Sequence, residues 1–242
     1  MGARNGVTAA IMAQMGFSGV WDVLDGEHNV LIALSASPKP EEMIAGLGSR
    51  FIITETAIKP YSVGYPIQAA LAAFLLLLRE HKLTPDNVAR IVVRLPEDGA
   101  RIVNNRAMPD VNCQHIIALA LVEGAVSFED SHSYERMKDP KVLALKERIE
   151  LIADKALMDP EASRGSRVEV TLNDGRAVSH HMRHAPGTKE NPMTTEEVNA
   201  KARSLMAPVL GAGPTEEIIR RVNALESVKD VRELTPFLTG GK

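Results

Sequence analysis

Hydrophobic side chains are unevenly spread along the chain, and the densest run covers residues 66–78, where Gln68 is the only polar side chain. That run is shorter than the ~20 apolar residues a membrane-spanning helix needs. It predicts instead a helix that is apolar on every side and therefore buried. Pro66 suits its first turn, where a missing N–H costs nothing. Arg79, His81 and Lys82 suit its last turn, where cations complement the helix dipole. Residues 111–122 predict a second buried helix, with Asp110 as N-cap and Gly124 as C-cap. Val7, Ala10, Ile11 and Met15 have helical spacing that stops at Gly16. Shorter helices are expected over residues 40–47, with Gly48 as cap, and over residues 140–148. In the tail, Thr194 and Glu197 have the spacing of a capping box for a helix running to Leu205. Thr215 is expected to cap another that runs to Leu225.

Period-two patterns alternate with these helices. Residues 50–56 (RFIITET) are rich in β-branched side chains and predict a strand. Residues 89–95 (ARIVVRL) predict a second strand, stopped by Pro96, and residues 150–153 a further short one. Strand, long helix and strand over residues 50–95 would form a βαβ-like unit. Residues 167–172 and 176–181 flank Asn173-Asp174-Gly175 and predict a β-hairpin. Read along the chain, the order is helical, then mixed, then helical again, an α+β fold class.

Composition narrows the function classes. The 242 residues carry a net charge of −3 with scattered Lys and Arg, which gives no nucleic-acid footprint. The single cysteine, Cys113, excludes an internal disulfide and fits a reducing compartment. The opening residues lack the apolar core of a signal peptide, and Gly6 stands where a myristoylation signal needs Ser or Thr. A cytoplasmic protein with no membrane partner is expected. The first helix starts at the initiator methionine with little ahead of it to pack against, as though the chain began inside a larger architecture.

Candidate chemistry gathers around the two buried helices. Lys59, Tyr61 and Tyr65 lie in a Pro/Gly-rich loop feeding the central helix, near the helix N-terminus where free N–H groups favour an anion. This predicts a carboxylate or phosphate site; the plainer alternative is a solvated lysine beside two packing tyrosines. Asn112 and His115 lie about one helical turn apart and can share a face. His115 is then either a proton donor or substrate contact, or a buried histidine satisfied by the backbone. His180, His181 and His184 cluster, but on a strand His181 points away from the other two and no flanking acid completes a ligand set. No metal is expected there. Gly46-Leu47-Gly48 lacks the third glycine of a dinucleotide fingerprint, and Gly240-Gly241-Lys242 cannot form a P-loop. Cys113 reads as an inert core thiol.

Three segments together resemble a known family. Residues 59–69 (KPYSVGYPIQA), 108–115 (MPDVNCQH) and 187–194 (GTKENPMT) are similar to the MmgE/PrpD family, that of 2-methylcitrate dehydratase, cis-aconitate decarboxylase and iminodisuccinate epimerase. Residues 3–10, Leu24-Asp25-Gly26 and Leu47-Gly48 fit in order. The resemblance implies a cofactor-independent lyase or related enzyme, commonly a homodimer, acting on a small carboxylate substrate, with 2-methylcitrate dehydration in propionate metabolism as one example. It implies an all-helical domain with a small mixed α+β lid inserted. Residues 1–49 and 186–242 would be helical segments and residues 50–185 the lid. Lys59 matches the lid lysine placed to meet a substrate carboxylate, and Tyr61 matches the aromatic two residues on. The catalytic candidates are Lys59, Tyr61 and His115; the substrate contacts are Lys59, Tyr65 and Asn112. Family members are about twice this length, and their proton-transfer residues lie mostly in the half that precedes the matching region. A separate N-terminal helical-domain chain is therefore an expected partner, with Val7, Ile11, Leu205 and Ile218 as candidates for the surface it covers. The other expectation is a non-catalytic homologue that dimerises and binds a carboxylate.

Overall fold

The computed structural model describes residues 1–162 and 164–238. It divides into two compact units, Met1–Ile52 and a second unit that begins at Ile53. In the first, α1 (Gly2–Gln14) ends ahead of Gly16, which adopts φ +92°. α2 (Val30–Leu34) is capped by Asn29, whose side chain accepts from the backbone N–H groups of Leu31 and Ile32. The helix expected over residues 40–47 shortens to a 3₁₀ turn, Pro40–Met43. Gly46 and Gly48, at φ +73° and +79°, break it. No residue of this unit is buried: Trp21 is 97% exposed and Leu34 81%.

The strand expected over residues 50–56 does not form; Ile52–Glu55 is a 3₁₀ turn. β-branched side chains favour a pleated, half-buried surface, and here Phe51, Ile52 and Ile53 are exposed with no neighbouring strand. The βαβ-like unit over residues 50–95 is therefore absent.

The second unit begins its regular structure with a 3₁₀ turn, Tyr65–Ile67, that has Pro66 in its opening positions. It runs into α3 (Gln68–His81), which Lys82 closes in the left-handed conformation. β1 (Val88–Leu95) follows, then α4 (Glu97–Val103), α5 (Cys113–Glu123), α6 (Phe128–His132) and α7 (Pro140–Lys146). Next come β2 (Ile149–Ala153) and the hairpin of β3 (Ser166–Leu172) and β4 (Ala177–Met182), with Gly175 at φ +86° in its turn. α8 (Thr195–Leu210), α9 (Ala212–Asn223) and α10 (Thr235–Leu238) complete the described residues. The class is α+β.

The four strands lie in the order β2-β1-β3-β4. β1 and β2 are parallel, with Ile91 opposite Ile149, and the other pairs are antiparallel. The parallel pair needs a long crossover, which α4 to α7 supply. β3 alternates buried Val168, Val170 and Leu172 with exposed Arg167 and Thr171, so one face of the sheet is apolar. α3 packs on β3 and β4, and α5 on β2 and α7. Phe74, Leu71, Ile91, Ile117 and Leu119 form the centre of that core. Among the described residues no helix is long and apolar enough to cross a membrane.

Helix ends differ from expectation in informative ways. α5 is capped by Asn112, because a 3₁₀ turn, Pro109–Val111, takes up Asp110. The capping box of Thr194 and Glu197 forms, but α8 continues past Leu205 to Leu210 with Pro208 inside it. Thr215 lies within α9, its hydroxyl donating to Gly211 O at 2.7 Å, and Gly211 is the cap. Ile218, expected on an uncovered surface, is 6% exposed because α9 packs on α8. Val7 and Ile11 are exposed as expected.

Removing the Phe74 ring should cost about 3–5 kcal/mol, whereas Trp21→Ala should stay within about 0.5 kcal/mol of the parent. Urea unfolding followed by circular dichroism measures both.

Candidate functional site

The polar interruption in the apolar run has a defined task. Gln68 is fully buried, and its amide nitrogen donates to Tyr61 O at 2.9 Å and Val63 O at 3.0 Å. Its amide oxygen accepts from Tyr61 N at 3.2 Å. One carboxamide on the first turn of α3 thus satisfies three backbone groups of the preceding loop. Ile58 N donates to Gly187 O at 2.8 Å, and Gly64 N to Asp110 O at 2.8 Å. The three motif segments therefore converge on residues 58–64. Gly187 sits at φ +85°, where a Cβ would fall 1.8 Å from Ile58 O, so only glycine fits that contact.

The loop forms one wall of an open cleft of about 470 Å³ whose other walls come from α3, α8 and the end of β4. Tyr61, Arg79, Glu197, Lys201 and Ser204 supply its polar lining; Leu76, Met182 and Met193 supply apolar surface. Lys59 folds its ammonium back to donate to Val63 O at 3.1 Å. Lys201, from α8, donates to Lys59 O. Among the described residues, none of Lys59, Arg79 and Lys201 makes an ion pair. Burial pushes the Tyr61 phenol up; the Arg79 charge opposes this and the Glu197 charge adds to it, leaving a protonated donor. Burial and then the charge of Lys59 hold the Lys201 ammonium below the usual lysine range. Glu197 accepts from Thr194 N at 2.7 Å and Thr194 Oγ1 at 2.9 Å, so one carboxylate oxygen is committed to the helix cap. The cleft thus gathers two cations and a phenol donor, groups of the kind that pair with an anion.

Of the residues nominated from the sequence, Tyr61 lines this cleft, Lys59 precedes it on the same loop with its ammonium turned to Val63 O, and the others lie elsewhere. The N-terminus of α3 is covered, since Pro66, Ile67 and Gln68 are buried, so the cations act beside the loop and not at free helical N–H groups. Tyr65 lines a separate small depression with Arg164 and Thr188. Asn112 is buried; its oxygen accepts from His115 N at 3.0 Å and its nitrogen donates to Arg106 O at 2.6 Å. His115 is buried in α5 with Nε2 lacking a hydrogen-bond partner. Burial first, then Lys146 and Arg136, push its imidazole down to about 4.

The neighbouring groups offer no other nucleophile or metal centre. His180 lies on the half-buried face of β4 and His181 on the exposed one, while His184 falls beyond the strand. Among the described residues no three His, Cys, Asp or Glu side chains gather at metal-binding distance. Burial pushes the Cys113 thiol up to about 12. Ser131, His132 and Asp110 approach a triad, with Ser131 Oγ 3.0 Å from His132 Nδ1 and His132 Nε2 3.9 Å from Asp110. However, Nδ1 also lies 2.8 Å from Phe128 O, which holds its proton there, and Ser131 donates to the same carbonyl at 2.9 Å. Gly240-Gly241-Lys242 falls outside the described residues. Gln68, Arg79 and Lys201 were not anticipated. Gln68 alone left a sequence signal, as the one polar side chain in an apolar run.

Comparison with known proteins adds the following. The MmgE/PrpD C-terminal domain model matches residues 61–227. A cis-aconitate decarboxylase-like protein of Aspergillus oryzae is 25% identical over 98% of this chain and 53% of its own length. The cis-aconitate decarboxylase of Homo sapiens is 26% identical over 98% of this chain and 51% of its own. The mitochondrial 2-methylcitrate dehydratase of Yarrowia lipolytica is 29% identical over 50% of this chain and 28% of its own. The chain spans about half the length of the two decarboxylase relatives.

Two predictions follow from this geometry. Gln68→Leu strands three backbone groups, each costing about 1–3 kcal/mol if left unpaired, and Gly187→Ala displaces Ile58. Amide exchange over residues 58–64 should accelerate in both variants, with α5 unchanged. The second concerns acid. An unfolded chain takes up a proton on His115 near 6.5 and the folded chain only near 4. The stability that neutral His115 provides is complete above about 6.5 and is lost as pH falls toward about 4. Urea midpoints at neutral pH and in mild acid should therefore show His115→Leu losing less on acidification than the parent.

Proposed function

This chain belongs to the MmgE/PrpD family, and from that premise we propose that it is the C-terminal part or subunit of a cofactor-independent lyase acting on a small di- or tricarboxylate. Its reaction is 2-methylcitrate dehydratase-like, or the related decarboxylation of cis-aconitate. It works with a separate N-terminal helical half, as a dimer or with that half as a second chain. Residues 50–185 serve as the lid, and the flanking segments belong to the helical domain. In dehydration a base removes the proton α to a carboxylate and the hydroxyl on the adjacent carbon takes up a proton and leaves as water; in decarboxylation carbon dioxide leaves and a proton donor protonates the carbanion that remains. The base must come within hydrogen-bond reach of that proton. Lys59 steadies the developing carboxylate or enolate charge, and the Tyr61 hydroxyl donates to the same group.

The observation that carries this reading is the family match over residues 61–227, a region that contributes Tyr61 and the unpaired cations Arg79 and Lys201 to the cleft. The two relatives aligned over 98% of the chain both bear cis-aconitate decarboxylase names, so that reaction is the first to assay. The need for a second half is supported by residues 1–52, which expose Trp21, Leu34 and Leu47 and bury nothing. A second reading, a non-catalytic carboxylate-binding homologue, is favoured by one observation. The ionisable groups lining the cleft are two cations, a protonated phenol and Glu197, one of whose carboxylate oxygens accepts from Thr194.

The chain reconstituted with a family N-terminal half should turn over cis-aconitate or 2-methylcitrate, read as product by mass spectrometry. Lys59→Met should lower kcat by about 10²–10³-fold. Ligand binding without turnover of either acid would establish the second reading.

A further inference from the structure

The strand order β2-β1-β3-β4 leaves β4 with a single neighbour, and its pairing with β3 decides which of its backbone groups are free. Leu172 N donates to Arg176 O at 2.8 Å, so those two residues form a hydrogen-bonded pair. In an antiparallel ladder such pairs alternate with pairs whose N–H and C=O groups point away from each other. Along the observed register, Val178, His180 and Met182 therefore bond to β3, while Ala177, Ser179 and His181 turn their N–H and C=O groups outward. Those outward groups have no hydrogen-bond partner among the described residues, and all three residues are exposed. An open edge of this kind is a template for another strand, and sheets usually guard it with proline, lysine or a bulge. β4, with the sequence AVSHHM, has none of these; the irregularity in this sheet lies between β1 and β3, at Val88 and Arg90.

The edge also matches itself. An antiparallel seam with Ser179 on a two-fold axis sets Ser179 opposite Ser179 of a second copy and Ala177 opposite its His181. Each outward residue then meets an outward residue, and about six backbone hydrogen bonds close the seam. Moving the axis to Val178 or His180 leaves one of the three without such a partner. The side chains agree with the Ser179 register. Ala177 and Ser179 are small, Arg176 falls opposite Met182, and no two like charges stand directly opposite each other. At each end the Asp174-Gly175 turn of one copy meets Arg183 and His184 of the other. Both ends already carry ion pairs, Arg176 with Asp174 and Arg183 with Asp159 and Glu161, so the seam joins charge clusters and strands no lone charge.

We propose that a second copy of this chain pairs with β4 edge to edge, antiparallel about Ser179, so that two four-stranded sheets become one continuous sheet. The proposal goes beyond the lyase reading and does not rest on it; the ladder pattern of β4 carries it.

Sedimentation velocity over a dilution series of the full chain should show a monomer–dimer equilibrium. Ser179→Pro removes only an outward N–H, so β4 keeps its bonds to β3. The loss falls on the axis in both copies and should weaken the dimer by about tenfold or more. Ser179→Lys sets two like charges opposite each other and should act in the same direction. Thr171→Lys, on the same face of the sheet but on β3, should dimerise as the parent does. Amide exchange of the parent chain is a measurement independent of variant folding. Ala177, Ser179 and His181 should exchange more slowly at concentrations where the dimer forms, with α4 unchanged. A parent that stays monomeric at every concentration, or a dimer that leaves those amides unprotected, would overturn the proposal. So would a dimer that both Ser179 variants leave as tight as the parent's, a result that puts the seam elsewhere and leaves the lyase reading standing. A dimer weakened by the Ser179 variants, in a chain that turns over neither cis-aconitate nor 2-methylcitrate in any reconstitution, would uphold the seam and remove the lyase reading.

Discussion

The carboxamide of Gln68 is the constraint on which the functional region depends. A loop carrying two prolines and a glycine has no regular ladder to hold it, and its buried backbone groups must find partners elsewhere. Gln68 supplies three of them from the first turn of a helix whose other side chains are almost all apolar. The helix is fixed by core packing, the carboxamide is fixed by the helix, and the loop is fixed by the carboxamide. Gly187 and Asp110 then tie the loop's two ends to the remaining motif segments. The site is rigid because its support lies in the core and not on the surface.

How much could be read from the sequence follows the range of the interactions involved. α3, α5 and the β3–β4 hairpin were legible because their signals are local: an apolar run, a capping glycine, an Asp-Gly turn. Residues 50–56 misled because strand formation depends on a neighbour, and local β propensity does not report whether one exists. Asn112 and Asp110 are both sound capping residues, and the choice between them turned on the 3₁₀ turn at Pro109, which spacing alone does not reveal. For the site, Lys59 and Tyr61 could be found from their loop. Lys201 could not, since it meets Lys59 across 142 residues of sequence. Asn112 and His115 do share a turn as their spacing predicts, but that turn is buried, and the relationship is a cap rather than a ligand contact.

Burial separates the two units in physical character. The second has a core cluster whose members run from Val63 to Leu172. The first has helices and turns with no buried residue. Short helices gain most of their stability from packing an apolar face, so segments of this kind are ordered chiefly by what covers them. The chain thus combines a framework with a buried core, which carries the cleft, with a segment whose apolar side chains are exposed.

The same division accounts for the charge inventory of the cleft. Proton abstraction next to a carboxylate needs a base on one side of the substrate and cations around the carboxylate on the other. A carboxylate paired with a cation is held in its charged, weakly basic form; Glu197, which lines the cleft, instead accepts from Thr194. His115 is buried in α5, and that burial lowers its basicity. A cleft that keeps its cations unpaired therefore works best when the base approaches from a different structural element. On the proposed two-part reading, that separation would keep the half that binds the anion and the half that abstracts the proton from neutralising each other before substrate binds.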